Sequence, residues 1–173
     1  MIRLLLEGRP GVGKTTVVRR LVDLLRSRDL VVSGFTTEEI REGGRRMGFA
    51  IESLDGDRAV MAHTSISGPP RVGKYGVDLG TFERIALPSL SAAAPSEVMV
   101  IDELGKMELA SAAFRDAVIE AFDGEAAVVA TVHRFRHPFT DALKRRSDVE
   151  ILAVTERTRD RLPEELVARL GGR

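Results

Sequence analysis

The chain contains no cysteine, no tryptophan, a single tyrosine and no net charge. Each absence removes a class of protein. Without cysteine there is no disulfide framework and no thiolate nucleophile, which is compatible with a reducing compartment. With aromatics at 5%, a stacking platform for single-stranded nucleic acid has little to be built from. Lys plus Arg and Asp plus Glu both number 26, so the basic footprint of a nucleic-acid binder is missing too. No apolar run is long enough to span a bilayer, so no membrane partner is expected. The three histidines show no ligand spacing with carboxylates, which argues against a zinc site. No N-K-x-D stretch appears, so the usual guanine-reading element is absent and loose base choice is expected.

What is present is 173 residues, 43% hydrophobic and 30% charged, enough for one compact domain over residues 1–173. The densest signal is Gly8 to Thr16, G-R-P-G-V-G-K-T-T, which matches the phosphate-loop pattern G-x-x-x-x-G-K-[ST]. Gly8, Gly11 and Gly13 let the backbone turn its N–H groups inward around phosphate oxygens. Arg9, Pro10, Val12 and Thr16 complete the expected nucleotide-binding loop. Lys14 is placed to reach the β- and γ-phosphates, and Thr15 to offer its hydroxyl to Mg²⁺. The context fits: an apolar run (Ile2, Leu4, Leu5, Leu6) precedes the loop, and Val17, Val18, Leu21, Leu24 and Leu25 follow at helical spacing. The loop begins eight residues in, which leaves no room for a secretion signal, and a cytoplasmic location is expected.

The pattern predicts strands at Ile2–Glu7, Leu30–Phe35, Glu97–Ile101, Ala126–Val132 and Val149–Val154. Helices are expected at Lys14–Ser27, Asp78–Ala93, Leu109–Phe122, Pro138–Arg146 and Arg157–Leu170. Thr36–Arg46 reads as a charged loop carrying a glycine pair. Met47–Leu54 and Arg58–His63 flank Asp55-Gly56 and read as an inserted antiparallel hairpin. His63–Val77 reads as loop. Alternating strands and helices predict a mostly parallel sheet covered on both faces, with ligands at the carboxyl ends of its strands.

Val98-Met99-Val100-Ile101-Asp102-Glu103 is an apolar strand ending in two carboxylates, the appearance of a Walker B motif. Asp102 is the expected second holder of Mg²⁺, and Glu103 the expected base that deprotonates an attacking water. Hydrolytic phosphate-loop enzymes that keep a Glu beside the Walker B Asp also insert a strand between the Walker A and Walker B strands. Here that strand is Ala126–Val132, with Thr131 or the polar groups after it as sensors of the γ-phosphate.

Several stretches together resemble a family. These are the phosphate loop, Gly34–Phe49 (G-F-T-T-E-E-I-R-E-G-G-R-R-M-G-F), Arg71–Asp78 (R-V-G-K-Y-G-V-D) and Val100–Leu109 (V-I-D-E-L-G-K-M-E-L). Phe82–Pro88 and Val154–Asp160 fit it too. The chain is similar to the small nucleoside-triphosphatases of thermophilic bacteria and archaea and to the human cancer-related NTPase. Leu104 stands where that family more often has Ile. The resemblance implies a three-layer α/β/α RecA-like phosphate-loop fold. It also implies Mg²⁺-dependent hydrolysis of several nucleoside triphosphates to diphosphate and phosphate.

In that setting one arginine of the Gly34–Phe49 stretch is expected to reach the γ-phosphate, with Arg41 preferred over Arg45. Arg134 and Arg136 are alternatives. Lys106, Lys74 and Tyr75 are candidates near the phosphate or over the nucleotide. Thr155 and Arg159 are candidates beside the base, Thr155 being equally an N-cap for the last helix. The sequence leaves one rival enzyme open. A nucleotide or nucleoside kinase uses the same cradle and passes the phosphoryl group to a small acceptor.

Overall fold

The computed structural model describes residues 1–91 and 97–172. Nine strands form one sheet: β1 (Arg3–Glu7), β2 (Val32–Glu42), β3 (Arg45–Ser53), β4 (Arg58–His63), β5 (Arg71–Val72), β6 (Tyr75–Val77), β7 (Val98–Ile101), β8 (Ala127–Val132) and β9 (Glu150–Ala153). Their spatial order is β5-β6-β4-β3-β2-β7-β8-β1-β9. Five helices cover it: α1 (Lys14–Arg26), α2 (Leu79–Leu90), α3 (Ala112–Asp123), α4 (Pro138–Lys144) and α5 (Leu162–Leu170).

The period-two side-chain alternation of strands builds the layers. On β1, Leu4 and Leu6 face α1 and α5, packing with Val18, Leu21, Leu25, Leu166 and Leu170. Leu5 faces the other side, where Phe35, Phe82, Phe114 and Phe122 gather under α2 and α3. Phe35, Phe82 and Phe114 meet edge-on or tilted, with centroids 5.0–5.9 Å apart. The sheet is thus buried on both faces, as near-continuous apolar strands require.

The five strands of the parallel half are β2, β7, β8, β1 and β9. β8 lies between β7 and β1, so the expected inserted strand is where the sequence reading puts it. Asp78 caps α2, accepting from the Thr81 N–H at 2.9 Å, as expected. The expected end of that helix at Ala93 lies outside the described residues.

The antiparallel half is larger than one hairpin. Thr36–Arg46 is not a loop: β2 runs on to Glu42 and returns as β3, Glu42 pairing with Arg45 across Gly43-Gly44. Both glycines have positive φ, 54° and 77°, which suits a two-residue primed turn. Asp55-Gly56 makes the second turn, into β4, as read from the sequence. The stretch expected as loop after His63 contains the small β5–β6 hairpin. Two further expectations shift. The last helix begins at Leu162, after turns, instead of Arg157. Glu108–Ala110 is a 3₁₀ turn preceding α3, which Ser111 caps by accepting from the Phe114 N–H at 3.0 Å.

Candidate active site

The loop between β1 and α1 is shaped by its glycines. Gly13 holds φ at 107°, a left-handed conformation that is costly for any residue with a Cβ. It ends the loop and starts α1 with no side-chain cap. The first N–H groups of α1 therefore meet no capping side chain, and the positive end of the helix faces the loop. That is the backbone arrangement of an anion site.

Lys14 is folded back into this loop and nearly buried. Its Nζ donates to the Gly8 carbonyl at 3.0 Å and the Arg9 carbonyl at 3.3 Å. Burial pulls its pKa down, while the charges of Glu103 and Asp102 push it up.

β7 delivers Asp102 to the same place. Its backbone is fixed from one neighbour, the Asp102 N–H donating to the Phe35 carbonyl at 3.2 Å. The next strand holds the other side, Leu104 donating to the Thr131 carbonyl at 2.9 Å. The peptide joining Asp102 to Glu103 is cis. Asp102 is fully buried, and its carboxylate is shared: Thr15 Oγ1 donates to Oδ2 at 2.8 Å, and Thr131 Oγ1 to Oδ1 at 2.6 Å. Burial pushes its pKa up to about 6, and the charge of Glu103 adds to that. The hydrogen bonds from Thr131, Thr15 and the Thr37 backbone oppose the rise.

Glu103 lies at the site's edge, where His133 Nε2 stands 2.6 Å from its Oε1. The other ring nitrogen, Nδ1, is 3.4 Å from Lys14 Nζ. Thr131 is the penultimate residue of β8 and His133 the first residue beyond it. There Thr131 takes Asp102 and His133 takes Glu103. Sequence reading named only the polar groups after Thr131 as sensors of the γ-phosphate. The contact of His133 with Glu103 was missed although the inserted strand was read beside β7, because which side chain after Thr131 reaches the carboxylate depends on how the chain leaves β8.

The hard oxygen donors of Thr15 and Asp102, already 2.8 Å apart beside the phosphate loop, fit Mg²⁺. Among the described residues no group of three or more His, Asp or Glu gathers for a metal. A carboxylate and a hydroxyl completed by phosphate oxygens is the usual way Mg²⁺ is held. His137, doubted above as a ligand, caps α4 by accepting from the Phe139 N–H at 3.2 Å.

The remaining candidates scatter. Arg41 is exposed on the β2–β3 arm. Its guanidinium is engaged by Glu39 at 2.7 and 2.9 Å and by the Gly44 carbonyl at 3.2 Å. It lies six residues beyond Phe35, the last β2 residue paired with β7, or about 20 Å along an extended strand. Arg46 donates to the Tyr75 hydroxyl at 3.0 Å and pairs with Glu39. Tyr75 is buried against Phe49 and braces this arm. Lys106 sits over Phe135, which stacks near His133. Arg134, beside His133, is 3.9 Å from Glu7, and Arg136 is almost fully exposed. Glu108 is buried, and burial followed by the charge of Glu103 raises its pKa well above the usual carboxylate range.

On the far side of the loop, Thr155 caps a local turn, accepting from the Thr158 N–H at 3.2 Å, and not the last helix. Arg159 crosses to the phosphate loop and donates to the Val12 carbonyl at 3.2 Å, and Arg9 pairs with Glu156 at 2.6 Å. A cavity of about 290 Å³ opens there, lined by Gly13, Thr16, Arg20, Arg159 and Pro163 among others.

The comparisons with known proteins agree with this geometry. The sequence model of a family described as NTPase matches residues 3–167. The nucleoside-triphosphatase THEP1 of Thermotoga sp. (strain RQ2) is 44% identical over 168 residues, covering 96% of this chain and 94% of that protein. The crystal structure of THEP1 from Aquifex aeolicus superposes with a TM-score of 0.88 at 35% identity, covering 98% and 99% of the two chains. The solution structure of a human cancer-related nucleoside triphosphatase gives 0.85 at 36% identity over the whole of both. A family model over residues 3–167 and a relative 44% identical over 96% of the chain place it plainly: the chain belongs to the nucleoside-triphosphatase family.

Proposed function

We propose that this protein hydrolyses nucleoside triphosphates to diphosphate and phosphate with Mg²⁺ and with little base preference. The observation that carries the reading is the meeting of Thr15 with Asp102 at 2.8 Å, Glu103 being the next residue and Lys14 the preceding one. A cradle, a hard-cation site and a carboxylate base then share one strand edge. The nine strands form one sheet, which supports reading residues 1–173 as one domain. A cytoplasmic site of action, where nucleoside triphosphates are abundant, belongs to the same reading.

The loop residues Gly8 to Thr16 cradle the β- and γ-phosphates through backbone N–H groups. Lys14 leaves the Gly8 and Arg9 carbonyls and donates to the γ-phosphate. Thr15 and Asp102 would hold Mg²⁺, which supplies charge neutralisation across the phosphates. Glu103 accepts a proton from water as the water oxygen bonds to the γ-phosphorus. The bond from that phosphorus to the bridging oxygen breaks, and the diphosphate leaves with the electron pair. For the transition-state cation, Arg41 serves only after leaving Glu39 and Gly44. Arg134, 3.9 Å from Glu7, and Lys106, over Phe135, are the alternatives near the His133–Glu103 pair.

Loose base choice has a physical basis in the cavity beside Thr16. Arg159 and Arg20 offer guanidinium planes, and a guanidinium stacks on any base. A panel of ATP, GTP, CTP, UTP and their deoxy forms, with product identification, tests the reading. Comparable release of phosphate from all is expected. A phosphorylated acceptor in place of free phosphate would replace hydrolysis by phosphoryl transfer to a small molecule, the kinase reading.

A further inference from the structure

The phosphate-binding lysine and the carboxylate base are not independent here; one imidazole touches both. Lys14 carries donors only, so at 3.4 Å the His133 Nδ1 must accept. The ionised Glu103 carboxylate accepts only, so the His133 Nε2 at 2.6 Å must donate. Both demands are met at once by a neutral ring with its proton on Nε2. The ring is largely shielded, with 16% of its side chain exposed, and its face is covered by Phe135 at 5.4 Å. The backbone is held as well, Lys144 donating to the His133 carbonyl at 3.3 Å while pairing with Glu7 at 2.6 Å. His133 is therefore fixed in place, in tautomer and in direction, between the two groups that the reaction needs.

We propose that His133 is a positioning residue that orients Glu103 for attack and reports to it whether Lys14 has moved to a phosphate. The inference rests on the hydrolytic reading above. Lys14 Nζ cannot serve the Gly8 carbonyl, the Arg9 carbonyl and His133 while also serving a γ-phosphate, since an ammonium has three donors. Arrival of a triphosphate draws the ammonium from the Gly8 and Arg9 carbonyls toward the γ-phosphate, and the 3.4 Å contact at Nδ1, the longest of the three, is given up with them. The Nε2–H bond to Glu103 remains and keeps one carboxylate oxygen fixed, leaving the other for water. His133 thus links occupancy of the phosphate loop to the setting of the base, without itself touching the nucleotide.

Three variants separate this role from mere packing. A glutamine carries its amide nitrogen at the reach of Nε2; an asparagine carries it at the reach of Nδ1. Removing one hydrogen bond to a charged group is worth about 10- to 100-fold in rate. So His133→Ala and His133→Asn are expected to lose kcat by that factor, with ADP affinity and melting temperature close to wild type. His133→Gln is expected to retain most of the activity. In a Glu103→Gln background, His133→Ala is expected to cost less than twofold, because its target is already gone. Equal losses in both backgrounds, or no rescue by glutamine, overturn the proposal. Full activity of Glu103→Gln on its own overturns the hydrolytic reading instead.

The reporting step has its own readout. Only three histidines need assigning in a nitrogen-15 spectrum of the imidazoles. The His133 Nδ1 resonance is expected to move on saturation with adenylyl imidodiphosphate and to stay put with AMP, which brings no γ-phosphate. An Nδ1 signal unmoved by the saturating triphosphate analogue refutes the link to Lys14.

Discussion

Replacing Asp102 by asparagine should make the nucleotide-free protein more stable and leave it inactive. Asp102 has no exposed surface, and burial raises its pKa from 3.8 to about 6. A buried carboxyl whose folded pKa is raised binds more protons in the native state than in the unfolded chain. Its contribution is fully present below 3.8 and is lost as pH rises through about 6. The change from 3.8 to about 6 corresponds to about 3 kcal/mol of lost stability at pH 7. Asparagine carries no charge to desolvate. Its carbonyl still accepts from one threonine hydroxyl, and the other hydroxyl rotates to accept from the amide. For a chain of this length, about 3 kcal/mol is about 6–12 °C in melting temperature.

The assay is thermal unfolding with a chelator and no nucleotide, at steps from pH 4 to pH 7, on wild type and Asp102→Asn. The curves should meet near pH 4 and separate toward pH 7, the variant being higher. The buried Glu108, raised in part by the charge of Asp102, acts in the same direction, so the difference between the curves includes its relief when that charge is removed. Glu38, Glu39, Asp78 and Glu150 have lowered pKa values and act below that range with the opposite sign. A variant that melts at or below wild type at pH 7 refutes the desolvation argument. It would mean that the two threonine hydrogen bonds outweigh the burial of charge.

Three further outcomes are expected. Glu103→Gln should bind ADP as wild type does and lose about 10²- to 10⁴-fold in turnover, measured by phosphate release. Gly34→Ala should fail to fold or lose more than about 4 kcal/mol by thermal melting, because Gly34 holds φ at 112° inside β2 and a Cβ would overlap the Val100 carbonyl of β7. Arg159→Ala should raise KM about fivefold for ATP, GTP, CTP and UTP alike while leaving kcat, the worth of one stacked cation; a change confined to one base would show that Arg159 reads an edge instead of a face.

Sequence reading located the parallel half of the sheet well because its signals are local. Leu4 to Leu6 and Val98 to Ile101 are short apolar runs, each followed by residues that could not continue them. It failed on Thr36–Arg46 because charge hid the alternation. Thr37 opposite Ile51 and Glu39 opposite Phe49 are strand pairs, but T-T-E-E-I-R-E on its own looks like a solvated turn. The same failure displaced the arginine candidates. Arg41 stands on a strand arm, engaged by Glu39 and the Gly44 carbonyl, and not in a loop. Tyr75 was ambiguous for a related reason: its partners Arg46 and Phe49 are more than twenty-five residues away and come near only through β3, β4 and β6.

The inserted strand explains why the site is built as it is. If β7 and β1 were neighbours, the phosphate loop and the acidic pair would simply adjoin, with no side chain between them. With β8 between them, Thr15 still reaches Asp102 directly at 2.8 Å, and side chains at the end of β8 add further contacts to the two carboxylates. Thr131 does so for Asp102 within the last turn of the pleat, and His133 does so for Glu103 two residues on. The end of β8 and the residue after it therefore address both carboxylates in order. A threonine is enough for the first, which needs only a donor into a buried oxygen. The second needs a group with a donor at one end and an acceptor at the other, because Lys14 stands on its far side. Among the side chains, a neutral imidazole meets that need rigidly with two nitrogens on opposite sides of a ring. Exchanging the two residues, Thr131→His with His133→Thr, should accordingly abolish turnover, whereas a spacing-preserving Thr131→Ser should keep it, as phosphate-release assays would show.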